Sequence, residues 1–305
     1  MTLFVPQGFA AIRELLAEGC PLISGHPDRT LRIGLLNLMP KKKIAERQFA
    51  RLLSADSRNI ELAPLHMASH QARHCPTFYL NRVYRPATIG TIARLDGLIV
   101  TGAPIEHLEF CDVDYWRQLA AILDFVRASH MPALFICWAA QAALYRYHGI
   151  AKKPLEEKAF GVFPQHIIES GSDIAAGLGP VFPTPVSRHT TVEPLDILKH
   201  PRSLKLVAGC DQTGPALVED RMTRSVYMFN HLEYETDTLY KEYRRDRLSG
   251  QSIREPLDHC NVASTRKIGD KTWGTTARRF FTNWLDRVAE HACLTHRIKT
   301  DRKIA

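Results

Sequence analysis

Five short stretches of the chain are apolar along nearly their whole length: LRIGLLNLM (31–39), LDGLIVTG (95–102), PALFIC (132–137), LKLVAG (204–209) and RSVYMFN (224–230). Runs of this kind predict strands buried on both faces, the habit of a parallel sheet covered by helices. Between them lie IAERQFARLLS (44–54), VDYWRQLAAILDFVRAS (113–129), AAQAALYRYHG (139–149) and DTLYKEYRRDRLSG (237–250), which predict helices, the last two closed by Gly149 and Gly250. In 113–129 the residues Tyr115, Leu119, Ile122 and Phe125 or Val126 fall near helical spacing, and Asp112 or Asp114 is placed to cap the start. The alternation predicts an α/β fold with a doubly wound, mainly parallel sheet flanked by helices and joined by right-handed crossovers. Ligands bind such sheets at the carboxyl ends of the strands, where Met39, Gly102 and Cys137 fall. The stretch 150–203, rich in Pro, Gly, His and Ser, is expected to be loops and short strands inserted over the sheet edge. One domain is expected over 1–305, with an N-terminal extension (1–30), a core (31–289) and a basic tail (290–305).

Composition narrows the setting. The 305 residues carry a formal net charge of +8, but the basic residues are dispersed and the densest run is the terminal HRIKTDRKIA. That distribution argues against a nucleic-acid surface and suits a phosphate-bearing small molecule. Seven cysteines, without a C-x-x-C pair or zinc-like spacing, read as reduced thiols with no metal site. The N-terminus lacks the pattern of a signal peptide, and the longest apolar run, MPALFICWAAQAAL, is shorter than the roughly 20 residues of a membrane span. A cytoplasmic protein without a membrane partner is expected.

Three places carry candidate chemistry. Cys137 ends an apolar strand just before a helix, where a sharp turn exposes a side chain and free helix N–H groups favour a thiolate and an oxyanion. Most unpaired cysteines are small core hydrophobes, so the stretch alone leaves both readings open. Downstream, FNHLEYE (229–235) puts His231 and Glu233 two apart, on the same side of an extended chain, where the carboxylate can orient the ring. A cysteine with an oriented histidine is a standard arrangement for acyl transfer. Finally, NLMPKKK (37–43) and TGAPIEHLEF (101–110) follow strands. The first offers lysines to an anion, and the second offers close backbone approach and amides for an oxyanion hole.

Taken together, LLNLMPKKKIAERQF, LIVTGAPIEHLEF, DVDYW, LFICWAAQAAL with HGI, EEK, HLEYETDTLYKEYRRD and FFTNWL resemble the homoserine O-acyltransferases with a class I glutamine amidotransferase-like fold, from about residue 31 to 289. The resemblance implies transfer of an acyl group from acetyl- or succinyl-CoA to the homoserine hydroxyl at the start of methionine synthesis, with no bound cofactor and a homodimer as the assembly. It implies Cys137 as nucleophile, His231 as general base and Glu233 as its orienting carboxylate. Lys158, Ser187 and Arg245 match substrate-binding positions, with Arg245 on the amino-acid carboxylate. Glu106 matches the position linked to donor choice, where acetyl-specific members resemble this sequence in having Glu and succinyl-specific members have Gly. A carboxylate there would also repel the free carboxylate of a succinyl group.

Two stretches depart from the family pattern: REPLDHCNVASTRK (254–267), and KTWGTT (271–276), where Gly-Thr-Thr follows Trp273 in place of Arg-Ser-His. They bear on the acceptor pocket and keep serine beside homoserine as acceptor. The expected route is ping-pong, with the Trp138 backbone amide among the oxyanion donors. A glutamine amidotransferase-like hydrolase and an inactive binding module are the alternatives. The hydrolase lacks support from the glycines usual at its cysteine, which here sits in Ile136-Cys137-Trp138-Ala139.

Overall fold

The computed structural model describes residues 2–27, 30–70, 74–258 and 273–304, with side chains described as far as residue 295. In chain order the strands are β1 (Leu3–Val5), β2 (Leu22–Ser24), β3 (Leu31–Leu36), β4 (Ile60–His66), β5 (Arg85–Pro86), β6 (Gly97–Val100), β7 (Ala133–Ile136), β8 (Lys153–Ile167), β9 (Val181–Thr191), β10 (Leu204–Cys210), β11 (Gly214–Asp220) and β12 (Ser225–Met228). The α-helices are α1 (Ile12–Ala17), α2 (Lys42–Ser54), α3 (Thr77–Val83), α4 (Ile89–Ile92), α5 (Trp116–Ser129), α6 (Trp138–His148), α7 (Pro194–Leu198), α8 (Thr238–Leu248) and α9 (Gly274–Ile304).

The strands form one sheet in the order β2-β1-β4-β3-β6-β7-β12-β11-β10-β8-β9, with β5 beside β4. From β2 to β12 every pairing is parallel, and from β12 to β9 every pairing is antiparallel. Each of the five apolar runs contains a strand, and β6, β7 and β12 are buried at every position. Successive residues of these strands face opposite sides. Leu134 and Ile136 join the core beneath α2 and α9, where Phe49, Phe281 and Trp284 pack. Ala133 and Phe135 join the core beneath α5 and α6. Gly97 has a packing reason: a Cβ there would lie 2.8 Å from Val288 Cγ2 and 3.3 Å from Trp284.

The stretch 150–203 differs from expectation. It is no cover of loops over the edge: β8 and β9 form a long antiparallel hairpin that extends the sheet. Along β9 the inward positions are Phe182, Thr184, Val186, Arg188 and Thr190. Three of these five are polar, so no apolar alternation marks the strand. Their burial is made tolerable by partners: Arg188 donates to Asn230 Oδ1 at 2.7 Å and to the Pro215 carbonyl at 3.2 Å. The prolines sit in this hairpin, with Pro164 opposite Pro183.

Two further details depart from the sequence reading. Neither Asp112 nor Asp114 caps α5; Tyr115 is the cap residue, and Asp114 pairs instead with His70 Nδ1 at 2.6 Å. Residues 1–30 contribute β1 and β2 to the same sheet, and 290–304 continue α9. Among the described residues no helix is long and apolar enough to cross a membrane.

Trp284 is fully buried and its indole Nε1 has no hydrogen-bond partner among the described residues. Trp284→Ala should therefore cost about 3–5 kcal/mol in urea unfolding, and Trp284→Phe should cost far less because no polar contact is lost. An alanine variant within about 1 kcal/mol of the parent would contradict the packing assigned to α9.

Candidate active site

Cys137 follows the last residue of β7 and precedes the first of α6. Its backbone has φ 52° and ψ −115°, in the positive-φ region that a side chain rarely enters. The turn is held by its own amide, which donates to the Met228 carbonyl of β12 at 2.8 Å, and by its carbonyl, which accepts from Ala140 N at 3.0 Å. Trp138 is fully buried behind it, with its ring 5.8 Å from Phe110 and 6.3 Å from Tyr115. The first amides of α6 have no acceptor within the helix and face the nucleophile's end of it. Gly102, at the end of neighbouring β6, closes the other side. A Cβ there would sit 3.2 Å from Cys137 Cβ, so only glycine leaves the thiol this much room.

His231 lies just beyond β12, its amide bonded to the Pro185 carbonyl of β9 at 2.8 Å. The segment is a turn, with Tyr234 N on the His231 carbonyl at 3.3 Å, not the extended chain expected from the sequence. Glu233 nevertheless reaches the ring, with its Oε1 2.7 Å from Nδ1. Its other oxygen has no hydrogen-bond partner among the described residues. Tyr234 stacks on the imidazole at 4.2 Å between ring centres, and Trp273 Nε1 holds the Tyr234 carbonyl at 2.9 Å. Burial is the largest single influence on His231 and opposes its charge. The Glu233 carboxylate, with the charge and hydrogen bonding of Cys137, outweighs it and holds the imidazolium well above the ordinary histidine value.

Cys137, His231, Glu106, Lys158, Ser187 and Arg245 all line one cavity of about 220 Å³ at the carboxyl edge of the sheet. Glu233 stands behind His231. Glu106 is buried, and its Oε1 accepts from the Cys137 thiol across 4.0 Å. Burial pushes its carboxyl up, while Lys158 and His231 pull it down. The lysines of 41–43 do not pair with it: Lys42 donates to the Asn37 carbonyl at 2.6 Å, and Lys43 lies over the Tyr79 ring. Lys158 sits where the β8–β9 ladder is irregular, paired with Asp246 at 3.1 Å and 4.0 Å from the Phe160 ring centre. Ser187 is not in a turn; it faces the cavity from β9, in step with His189. Arg245, on α8, donates through Nε to Asp246 Oδ1 at 2.6 Å.

Sequence reasoning did not single out Glu242, Asp246 or Lys152. Glu242 lines the cavity and accepts from Ser187 Oγ and Tyr234 OH, each at 2.7 Å. Helical spacing was the available signal: Glu242, Arg245 and Asp246 are three and four apart on α8. Lys152 holds the Glu106 loop by donating to the Glu106 carbonyl and to the Leu108 carbonyl at 2.7 Å. No spacing rule could have paired it with that loop. The departures at 259–267 and at 271–272, and Cys260 with them, lie outside the described residues. Among the described residues no cluster of three His, Cys, Asp or Glu is fit for a metal, and the described cysteines are free.

The family profile described as homoserine O-succinyltransferase matches residues 23–293. The chain belongs to this family. Among its relatives, a homoserine O-acetyltransferase of Roseobacter denitrificans is 37% identical over 94% of this chain and 96% of its own length. A second homoserine O-acetyltransferase, from a Synechococcus strain, is 39% identical over 94% and 97%. Solved structures show the same fold at low identity. A glutamine amidotransferase of Thermotoga maritima superposes with a TM-score of 0.59 at 12% identity, covering 86% of this chain and 99% of that one. Another from Methylobacillus flagellatus gives 0.55 at 12%, covering 86% and 94%. The mainly parallel sheet is thus that of the class I amidotransferases, as the homoserine O-acyltransferase resemblance implied.

Two outcomes follow for the site. Gly102→Ala should slow alkylation of Cys137 by iodoacetamide, since the added Cβ would sit 3.2 Å from Cys137 Cβ and must displace the cysteine; an unchanged rate would contradict that close approach. Because the native His231 value is raised, its imidazolium stabilises the fold at pH below the ordinary value near 6.5, and that contribution is lost as pH rises through the native value. In Glu233→Gln the imidazolium should give up its proton at lower pH, read by ¹⁵N NMR of the His231 ring. An unchanged titration would refute the pairing.

Proposed function

We propose that the protein is a homoserine O-acetyltransferase working through a Cys137 acyl-enzyme, with acetyl-CoA as donor. The observation that carries the reading is the meeting, in one small cavity, of a thiol on a strained strand-to-helix turn, an oriented imidazole and a charged pocket suited to an amino acid. The names of the relatives support homoserine as acceptor and acetyl as the group moved.

In the first half-reaction the Cys137 thiolate, paired with the His231 imidazolium, attacks the thioester carbonyl. The carbonyl oxygen becomes an oxyanion held by the Trp138 amide and by amides of the Gly102–Ala103 turn. The C–S bond to CoA breaks and its thiolate leaves with the proton carried by His231. In the second half, His231 removes the homoserine hydroxyl proton, the oxygen attacks the acyl-enzyme, and Cys137 departs from the ester as the thiolate paired with the His231 imidazolium. Glu233 keeps the ring in one orientation and offsets its charge in both halves.

The acceptor is a zwitterion, and the cavity presents both signs. Arg245 takes the carboxylate and Glu242 the ammonium, with Ser187 and Tyr234 fixing Glu242. Lys158 compensates Asp246 beneath them. Glu106 decides the donor. Its buried carboxylate occupies the space beside the sulfur that a succinyl carboxylate would need, and two buried like charges at that range repel strongly. The reading carries a homodimer as the assembly, which sedimentation equilibrium would report.

Intact-protein mass spectrometry after mixing with acetyl-CoA should show an acetyl adduct, absent in Cys137→Ala and discharged by homoserine faster than by serine. Discharge by serine first would move the acceptor, and no adduct from acetyl-CoA or succinyl-CoA would refute the acyl-enzyme. Glu106→Gly should raise the ratio of succinyl to acetyl transfer by about tenfold or more in kcat/KM.

A further inference from the structure

A second cavity adjoins the catalytic one. It holds about 360 Å³, within the size range of small-molecule sites. The two share a wall made of Met39, Ala103 and Pro104. Ala103 follows Gly102, which is in contact with Cys137, so the shared wall begins one residue from the nucleophile. The two cavities differ in chemistry. The catalytic cavity is ringed by Glu106, Lys158, Glu242, Arg245 and Asp246, suited to a compact zwitterion. The second is walled by Leu38, Met67, Ile105, Leu108, Val113 and Tyr115, suited to a slender, mostly apolar chain.

Its polar lining is Asn37, Lys42, His66, His70, His74, Asp112 and Asp114, of which Lys42 and His66 offer a donor and an acceptor. Lys42 is buried on the cavity and bonds the Asn37 carbonyl at 2.6 Å and the Met39 carbonyl at 3.5 Å, which leaves a third N–H. Burial lowers its pKa to about 8, so it remains a donor at neutral pH. His66 is neutral there, because burial holds it below the ordinary histidine value. Its Nδ1 donates to the Met67 carbonyl at 3.1 Å, which leaves Nε2 as an acceptor. The Lys42 donor and the His66 acceptor, beside the apolar walls, match a secondary amide set in an aliphatic chain.

The geometry points to this second cavity as the site of the pantetheine arm of the acyl donor, which passes between Met39 and the Ala103–Pro104 turn to bring its thioester to Cys137. The arm is aliphatic with two amide groups, and one of these meets Lys42 through its carbonyl and His66 through its N–H. The acceptor amino acid then occupies the charged cavity on the other side of the thiol. This assignment rests on the acyltransferase reading and extends it to where the donor lies. Asn37 and Glu46 support the arrangement from below: Asn37 Nδ2 bonds the Lys42 carbonyl and Tyr84 OH, and Glu46 accepts from Tyr79 and Tyr84 at 2.5 Å.

The test uses the full chain and two donors: acetyl-CoA, and S-ethyl thioacetate, which carries the thioester but neither amide of the arm. Acylation of Cys137 is followed by quenched-flow mass spectrometry in the wild type and in Leu108→Trp and Val113→Phe, each of which fills the second cavity. The expected result is a half-saturating acetyl-CoA concentration raised about tenfold or more, with the rate from the short thioester within about twofold of wild type. Retained reaction with the short thioester also reports that a variant is folded. An unchanged acetyl-CoA dependence in both variants overturns the assignment. So does an equal loss with both donors in variants that keep the wild-type near-ultraviolet circular dichroism. Absence of acylation of the wild type by acetyl-CoA is a separate result, which removes the acyltransferase reading itself.

Discussion

The site depends on one backbone conformation, the positive φ of Cys137 between β7 and α6. Such a residue costs on the order of 1–3 kcal/mol and persists only where its surroundings over-determine it. Here β7 lies between β6 and β12 with every residue buried, and the Cys137 amide is tied to β12. Trp138, wedged among Phe110 and Tyr115, fixes the start of α6. The sulfur is therefore held at the mouth of the sheet by strands buried along their whole length. Its neighbours arrive from the two flanking strands, Gly102 from β6 and His231 from β12.

Electrostatics then assigns the roles of groups that the sheet merely brings together. Around the thiol, acids and bases alternate: Glu106, His231 and Glu233 near the sulfur, and Lys158, Asp246, Arg245 and Glu242 farther along the cavity. Burial penalises a charge in such a site, and partners offset that cost to different degrees. The imidazole is the clearest case, since desolvation alone would keep it neutral and Glu233 with Cys137 reverses that. Glu106 is the opposite case, where burial wins and the carboxyl moves up.

The N-terminal segment reaches the same loop by ion pairs. Glu235, two residues past Glu233, accepts from Arg47 at 2.8 Å and from Arg51 at 2.5 Å. These arginines bind in turn to Glu14 of α1 and to Glu18 just past its end, at 2.9 Å and 2.6 Å. Thr238 Oγ1 accepts from the Glu235 amide and from Gln48 Nε2. The turn that carries His231 is thus clipped to α1, α2 and α8 together, which ties residues 1–30 to the site as well as to the sheet edge.

Much of this was legible in the chain because it depends on local pattern. Apolar runs that bury both faces marked β3, β6, β7, β10 and β12, and helical spacing marked α2, α5, α6 and α8, since both follow from the repeat of the backbone itself. The placement of Cys137 at a strand end and the pairing of His231 with Glu233 were readable for the same reason, as each involves neighbours in sequence. What the chain alone did not reveal was every arrangement settled by distant partners. The inward face of β9 is half polar, and its burial relies on Asn230 and the carbonyls of Thr213 and Pro215, which accept from the two terminal nitrogens of Arg188. Asp114 is drawn from capping α5 by His70, forty-four residues away in the chain. Lys152 holds the Glu106 loop, and Glu242 is held by Ser187 from across the sheet. Local periodicity decides which segments are strands and helices. Hydrogen bonds and charges between residues far apart in sequence have no period to read, so only the tertiary structure decides them.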